Sequence, residues 1–176
     1  MYKPIEIEAL ELGGILPAMQ AMRLPKRAES DSWDEVDESY TPKTFLGEED
    51  ARLSGKLIRA GDDHAKALRG IIVWLKVKMQ VGFMVEFETY RHGVECLSTS
   101  STMHTDLKAM AGVELAEMKQ IGLKDLVYTR ILTISYQALR SMYFARRYHR
   151  HPDWRLFCKF VEELPYFKEL IQAEKV

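Results

Sequence analysis

Apolar positions change their spacing several times along the chain, and each change marks an element. In YKPIEIEA (2–9) apolar and acidic side chains alternate at Ile5, Ile7 and Ala9. That is the period of a strand with one buried face, ended by Gly13-Gly14. From Ile15 to Arg23 the spacing lengthens, and Leu16, Ala18, Met19 and Met22 share one side of a short helix that Pro25 closes. Glu48, Glu49 and Asp50 follow Gly47 and place acids on a first helical turn, where they favour the helix dipole. That helix runs to about Ala60, with Leu53, Leu57 and Ile58 inward and Gly61 as its C-cap. IIVWLKVKM (71–79) is the best strand in the chain, with Lys76 and Lys78 alternating with Leu75, Val77 and Met79. Gly82 breaks it, and 81–90 reads as a helix with Phe83, Phe87 and Tyr90 on a shared face.

Beyond these, Thr105 to Gly122 reads as a helix with an apolar stripe through Met103, Leu107, Met110 and Met118. Such a Met stripe reads as core rather than as a cofactor box. Thr129 to about Arg150 is the longest expected helix, with Leu132, Tyr136, Leu139, Tyr143 and Arg146 or Arg147 on one face. Pro152 suits the first turn of a final helix packed through Phe157, Phe160, Val161 and Leu164, and Pro165 breaks it before a last turn at 166–172. The predicted architecture is α+β: a small sheet packed with several long helices, helices dominant. One domain, 1–176, carries an acidic loop at about 29–50.

Composition narrows the class. With 47% hydrophobic residues in 176, a single core is affordable. A net charge of −1 and a pI near 6.5 exclude a global basic bias, so no nucleic-acid partner is expected. Cys96 and Cys158 form neither a metal spacing nor a disulfide framework, which suits a reducing cytoplasm. The opening MYKPIEIEAL lacks the apolar core of a signal peptide, and no apolar run is long enough to span a bilayer. The run ESDSWDEVDE (29–38) reads as a solvated segment, pinned by Trp33 and Tyr40; its other reading is a surface for a basic partner.

Candidate chemistry concentrates in FETYRHGVECLSTSSTMH (87–104). Arg91 is a permanent planar cation suited to phosphate or carboxylate. Ser98 to Thr102 supply hydroxyl donors, and His92 and His104 titrate near neutrality. The alternative is a solvated polar turn between two helices. Asp62-Asp63-His64 reads as an N-cap pair for the next segment rather than as metal ligands, because consecutive residues rarely converge on one ion. His149 and His151, two apart on a helix, do not share a face, so no metal site is expected. The other reading of His104 is a cap for the helix that follows it.

A strand, a short helix ending in Tyr90-Arg91-His92, a Ser-containing loop, an Arg-rich helix and a Trp-containing one together resemble the flavin-dependent thymidylate synthases. Arg91 and His92 match the first two positions of that family's Arg-His-Arg signature, and Ser101 falls at the spacing of its Ser. Arg147, His151 and Trp154 in RRYHRHPDWRLF look like its C-terminal pattern, and ELPYFKELI resembles its closing segment. The similarity covers roughly 63–171. Several positions depart from the pattern. Gly93 replaces the second Arg, Ser98-Thr99 the Asn-Glu, Met103-His104 the Arg-Tyr, and Tyr136-Gln137-Ala138 the Asn-x-Arg near the flavin. Glu88 stands where the family has a nucleotide-holding Gln.

The resemblance implies methylation of deoxyuridine monophosphate from methylenetetrahydrofolate, with FAD as cofactor, in a cytoplasmic homotetramer. It assigns Arg91, Ser101 and Arg147 to catalysis. It assigns Glu88 and His104, with those three, to the pyrimidine nucleotide, and His92 and His64 to the flavin. A short, divergent copy with no second Arg and no Asn-Glu resembles those of phages. The alternatives are a nucleotide-binding protein that has lost flavin chemistry, and an interaction module built on the acidic run.

Overall fold

The computed structural model describes residues 2–26, 46–100 and 126–173. Four strands, β1 (Glu6–Gly13), β2 (Ile72–Gln80), β3 (Val94–Thr99) and β4 (Val127–Ser135), form an antiparallel sheet in the order β1-β2-β4-β3. The class is α+β, as expected. β2 is central because its alternate residues Val73, Leu75, Val77 and Met79 are all buried. Register places Val73 opposite Ile134 and Leu75 opposite Leu132, so one face is apolar throughout its middle. On the other face Lys76 and Lys78 meet Glu8 and Glu6 of β1 at 3.3 and 3.0 Å. These exposed pairs add only about 0.2–1 kcal/mol each. A slip of one residue would turn every apolar side chain out, so burial rather than charge holds the register.

The helices are α1 (Ile15–Arg23), α2 (Glu48–Ala60), α3 (Val81–Phe87), α4 (Tyr136–Arg146) and α5 (Pro152–Glu162), with a 3-10 turn at Lys66–Gly70 and a π-helical turn at Phe167–Ile171. α1 buries Ile15, Ala18, Met19 and Met22, close to the expected stripe. Arg23 joins it to α2 through the buried Asp50, 2.6 Å away. Such a pair is costly to break, because one charge is then left buried alone. Trp154 of α5 is fully buried, stacked on Phe87 and edge-on to Phe83 and Phe157. Its indole Nε1 donates to Glu86 at 2.9 Å. The buried Asp153 beside it accepts from the Tyr2 hydroxyl and the Ile5 amide, so the N-terminal segment is anchored on α5.

Three expectations are corrected. Residues 129–150 are not one helix: β4 runs to Ser135 and α4 begins at Tyr136. The helical spacing from Leu132 is accidental, because β2 needs a backbone partner on its second edge and the β-branched run Thr129, Ile131, Thr133, Ile134 supplies it. Ser135 marks the switch, its Oγ accepting from Ala138 N at 3.2 Å as the N-cap of α4. The stretch 91–104 is not all loop, since 94–99 forms the edge strand β3. Its side chains are mostly exposed, so no apolar alternation announces it. Asp62 and Asp63 cap nothing: the 3-10 turn has no side-chain cap, and the His64 and Ala65 amides both donate to the Gly61 carbonyl. The expected helix at 105–122 and the acidic run 29–38 lie outside the described residues.

Candidate functional site

A cavity of about 670 Å³ opens where the sheet, the loop after α3 and the start of α4 meet. Gly93 makes that junction possible. Its φ is +73°, and an added Cβ would stand 2.4 Å from the Ser135 Oγ. Its carbonyl accepts from the Ser135 amide at 2.8 Å, locking the loop onto the end of β4. Only glycine fits this backbone at this distance. The absence of an arginine at 93, read from the sequence as a lost cation, is therefore also a packing requirement.

Arg91 and His92 line the cavity, exposed, with no side-chain partner among the described residues. Gln137, Ala138 and Ser141 bring the first turns of α4 to the same wall. A helix N-terminus carries partial positive charge and favours an anion. Glu95 is the acid on the lining. Arg69, from the 3-10 turn, is a cation that sequence reasoning missed; its Nε donates to Gln137 Oε1 at 2.5 Å. No local signal marks it, because it lies more than twenty residues before Arg91 and is brought in by the sheet.

The other expected site residues are placed as follows. Glu88 forms an ion pair with Arg130 at 2.6 Å, and the two border a recess of about 270 Å³ that shares Tyr90, Arg91 and Glu95 with the main cavity. The Arg130 Nε is buried and has no hydrogen-bond partner among the described residues. His64 lies apart from Arg91, in an apolar-walled cavity of about 530 Å³ between α1, α2 and the 3-10 turn. Arg69 borders both cavities. Arg147 caps the far end of α4, its guanidinium 4.8 Å from the Phe144 ring and 5.0 Å from the Tyr148 ring, and it does not line the main cavity. Ser101 and His104 lie outside the described residues; Ser100, just before them, accepts from the Thr129 amide at 3.0 Å.

In the basic stretch of α4, Arg146 and Arg140 make packing contacts. Arg146 donates to the Tyr90 hydroxyl at 2.8 Å and lies 4.8 Å over Trp154, while Arg140 donates to the Ile171 carbonyl. The Nδ1 atoms of His149 and His151 accept backbone amides, and among the described residues no cluster of acidic, His and Cys side chains suits a metal. Burial pushes the Cys158 thiol up to about 11, so it is no nucleophile. Burial also raises the Tyr136 phenol, whose hydroxyl donates to the Pro165 carbonyl at 2.7 Å. Among the described residues no helix is long and apolar enough to cross a membrane.

No protein-family model and no curated protein matches the sequence. Solved structures do match. A flavin-dependent thymidylate synthase ThyX from Helicobacter pylori, complexed with FAD and dUMP, superposes with a TM-score of 0.67 and 13% identity, covering 97% of this chain and 100% of that one. A second structure of ThyX from Helicobacter pylori with FAD and dUMP gives the same TM-score and identity over 98% of this chain and 100% of that one. At such identity the likeness establishes the fold, which is the one the sequence resemblance implied.

Proposed function

We propose that this chain is a divergent thymidylate synthase-like protein that binds a pyrimidine nucleotide and FAD at the Arg91 cavity and transfers a one-carbon unit to deoxyuridine monophosphate. The observation that carries the reading is an open cavity holding two guanidinium groups, Arg69 and Arg91, at the positive end of α4. Phosphates are what such a lining selects, each charge-assisted hydrogen bond being worth about 1.5–3 kcal/mol. The donor set fits FAD: Arg91 and Arg69 for its phosphates, His92 and the amide of Gln137 for its polar ring edges. When bound, the flavin supplies the hydride. This chain's residues bind, orient and screen charge, so no nucleophilic side chain is required. Arg91, Glu88, Ser101, His104 and Arg147 are proposed contacts to the nucleotide, with Arg147 reaching it from another subunit of a homotetramer.

A second reading, a nucleotide-binding protein without flavin chemistry, is favoured by one feature. Tyr136 is fully buried and bound to Pro165, and Ala138 has no polar side chain. Of the three residues at the Asn-x-Arg position, only Gln137 offers the cavity a polar side chain.

The test is the absorbance spectrum of the purified protein, then calorimetric titration with FAD and with dUMP. Binding of both supports the synthase reading and leads to an assay with methylenetetrahydrofolate. Binding of dUMP alone supports the second reading, and binding of neither overturns both.

A further inference from the structure

Two cavities meet at one side chain. The larger carries Arg91, His92 and Glu95; the smaller is walled by Met22, Leu53 and Leu57, with Asp63, His64 and Lys66 also on its lining. Arg69 borders both. Its Nε is held by Gln137, and no other hydrogen bond or ion pair engages its guanidinium among the described residues. The fork is thus oriented at Nε while both terminal nitrogens remain open. An arginine so held has already lost much of the side-chain entropy that anion binding would otherwise remove.

We propose that Arg69, positioned by Gln137, is the anion clamp at the junction of the two cavities, and that its ligand is a dinucleotide whose diphosphate lies there. A two-ended ligand fits because one chamber offers Arg91 and His92 and the other a more apolar wall beside His64 and Lys66, with the Arg69 cation bordering both. The inference rests on the nucleotide-binding reading and specifies which chain segment supplies its phosphate contact. Glu95, on the larger lining, opposes anion binding, and a second cation beside Arg91 offsets it.

The experiment is titration of the full chain with FAD at several salt concentrations, for wild type, Arg69→Met, Arg69→Lys and Gln137→Ala, with a thermal melt of each. Loss of the guanidinium in Arg69→Met should raise the Kd roughly ten- to a hundredfold. It should also flatten the salt dependence, because one screened charge contact is gone. Arg69→Lys should recover part of the affinity, and Gln137→Ala should fall between wild type and Arg69→Met. Wild-type-like affinity and salt dependence in Arg69→Met, with an unchanged melt, would overturn the clamp while leaving the nucleotide reading intact. Weaker FAD binding in Arg69→Met with an unchanged salt dependence also overturns it, since the loss is then not electrostatic. No FAD binding by wild type removes the clamp together with the flavin part of the proposed function, while dUMP binding still reports on the nucleotide reading.

Discussion

The Gly93 carbonyl accepts a hydrogen bond from the Ser135 amide, and the Gly93 α-carbon faces the Ser135 hydroxyl so closely that an added Cβ would sit 2.4 Å from it. One residue immediately precedes β3, the other ends β4, and the contact fixes where the Arg91-His92 loop turns into the cavity. Gly93→Ala is expected to destabilise the protein by about 2 kcal/mol, from left-handed backbone strain and the displaced hydroxyl. Gly93→Arg, which rewrites the Arg-His-Arg signature, should also destabilise rather than restore a cation. Urea denaturation midpoints of the two variants check this; a wild-type midpoint for Gly93→Arg would sink the packing argument.

Ser135→Ala removes the hydroxyl that caps α4 and leaves the Ala138 amide without its side-chain acceptor. A loss of about 1 kcal/mol is expected from the cap alone. Combined with Gly93→Ala, the two losses should not add, because the hydroxyl that clashes is the one removed. A double-mutant cycle measures the coupling.

Arg91 lines the cavity and Arg147 does not, so the two variants should behave differently. Arg91→Ala is expected to weaken dUMP binding at least about tenfold. If Arg147 reaches the nucleotide from a second subunit, Arg147→Ala also weakens binding, and co-expressed Arg91→Ala and Arg147→Ala chains recover part of it. Failure of the mixed assembly to recover any binding would place Arg147 outside the site.

Asp153 ties residues 2–5 to α5 through the Tyr2 hydroxyl and the Ile5 amide. Asp153→Ala should free that segment while Trp154 stays packed. Limited proteolysis should then cut ahead of β1 in the variant only, with tryptophan emission unchanged. Equal cleavage of wild type and variant would show that the anchor does not hold the segment.

Alkaline pH should unfold the protein in stages. Burial raises the Cys158 thiol from 9 to about 11 and lifts the Tyr136 phenol above its ordinary 10. In both cases the folded state keeps its proton longer than the unfolded state does. The associated stability is therefore complete below the unfolded values and is lost as pH rises through the folded ones. Stability should begin to fall above pH 9, and Cys158→Ala should delay that onset. Denaturation midpoints between pH 7 and 11 report it; an identical onset in the variant would contradict it. Below pH 8, a thiol reagent should modify the exposed Cys96 quickly and leave Cys158 untouched.

What the sequence by itself determined was whatever burial writes into a local pattern. α1, α2, β2 and α5 were legible because one face of each is apolar and the other wet, and Gly61 and Pro152 marked an end and a beginning. Arg91 and His92 were legible because polar, titratable residues stood clustered after a helix. The tertiary structure decided the rest. β3 is an exposed edge strand, so its side chains carry no alternation, and β4 is defined by the backbone partners that β2 and β3 require of it. Neither demand is local, and a helical period running from Leu132 through Tyr143 concealed the break at Ser135. Arg69 was invisible for the same reason: a guanidinium joins a site by where the sheet carries it. Gly93 shows the two levels together. The sequence displayed a missing arginine, and only the approach of Ser135 gave the steric reason that no side chain can stand there.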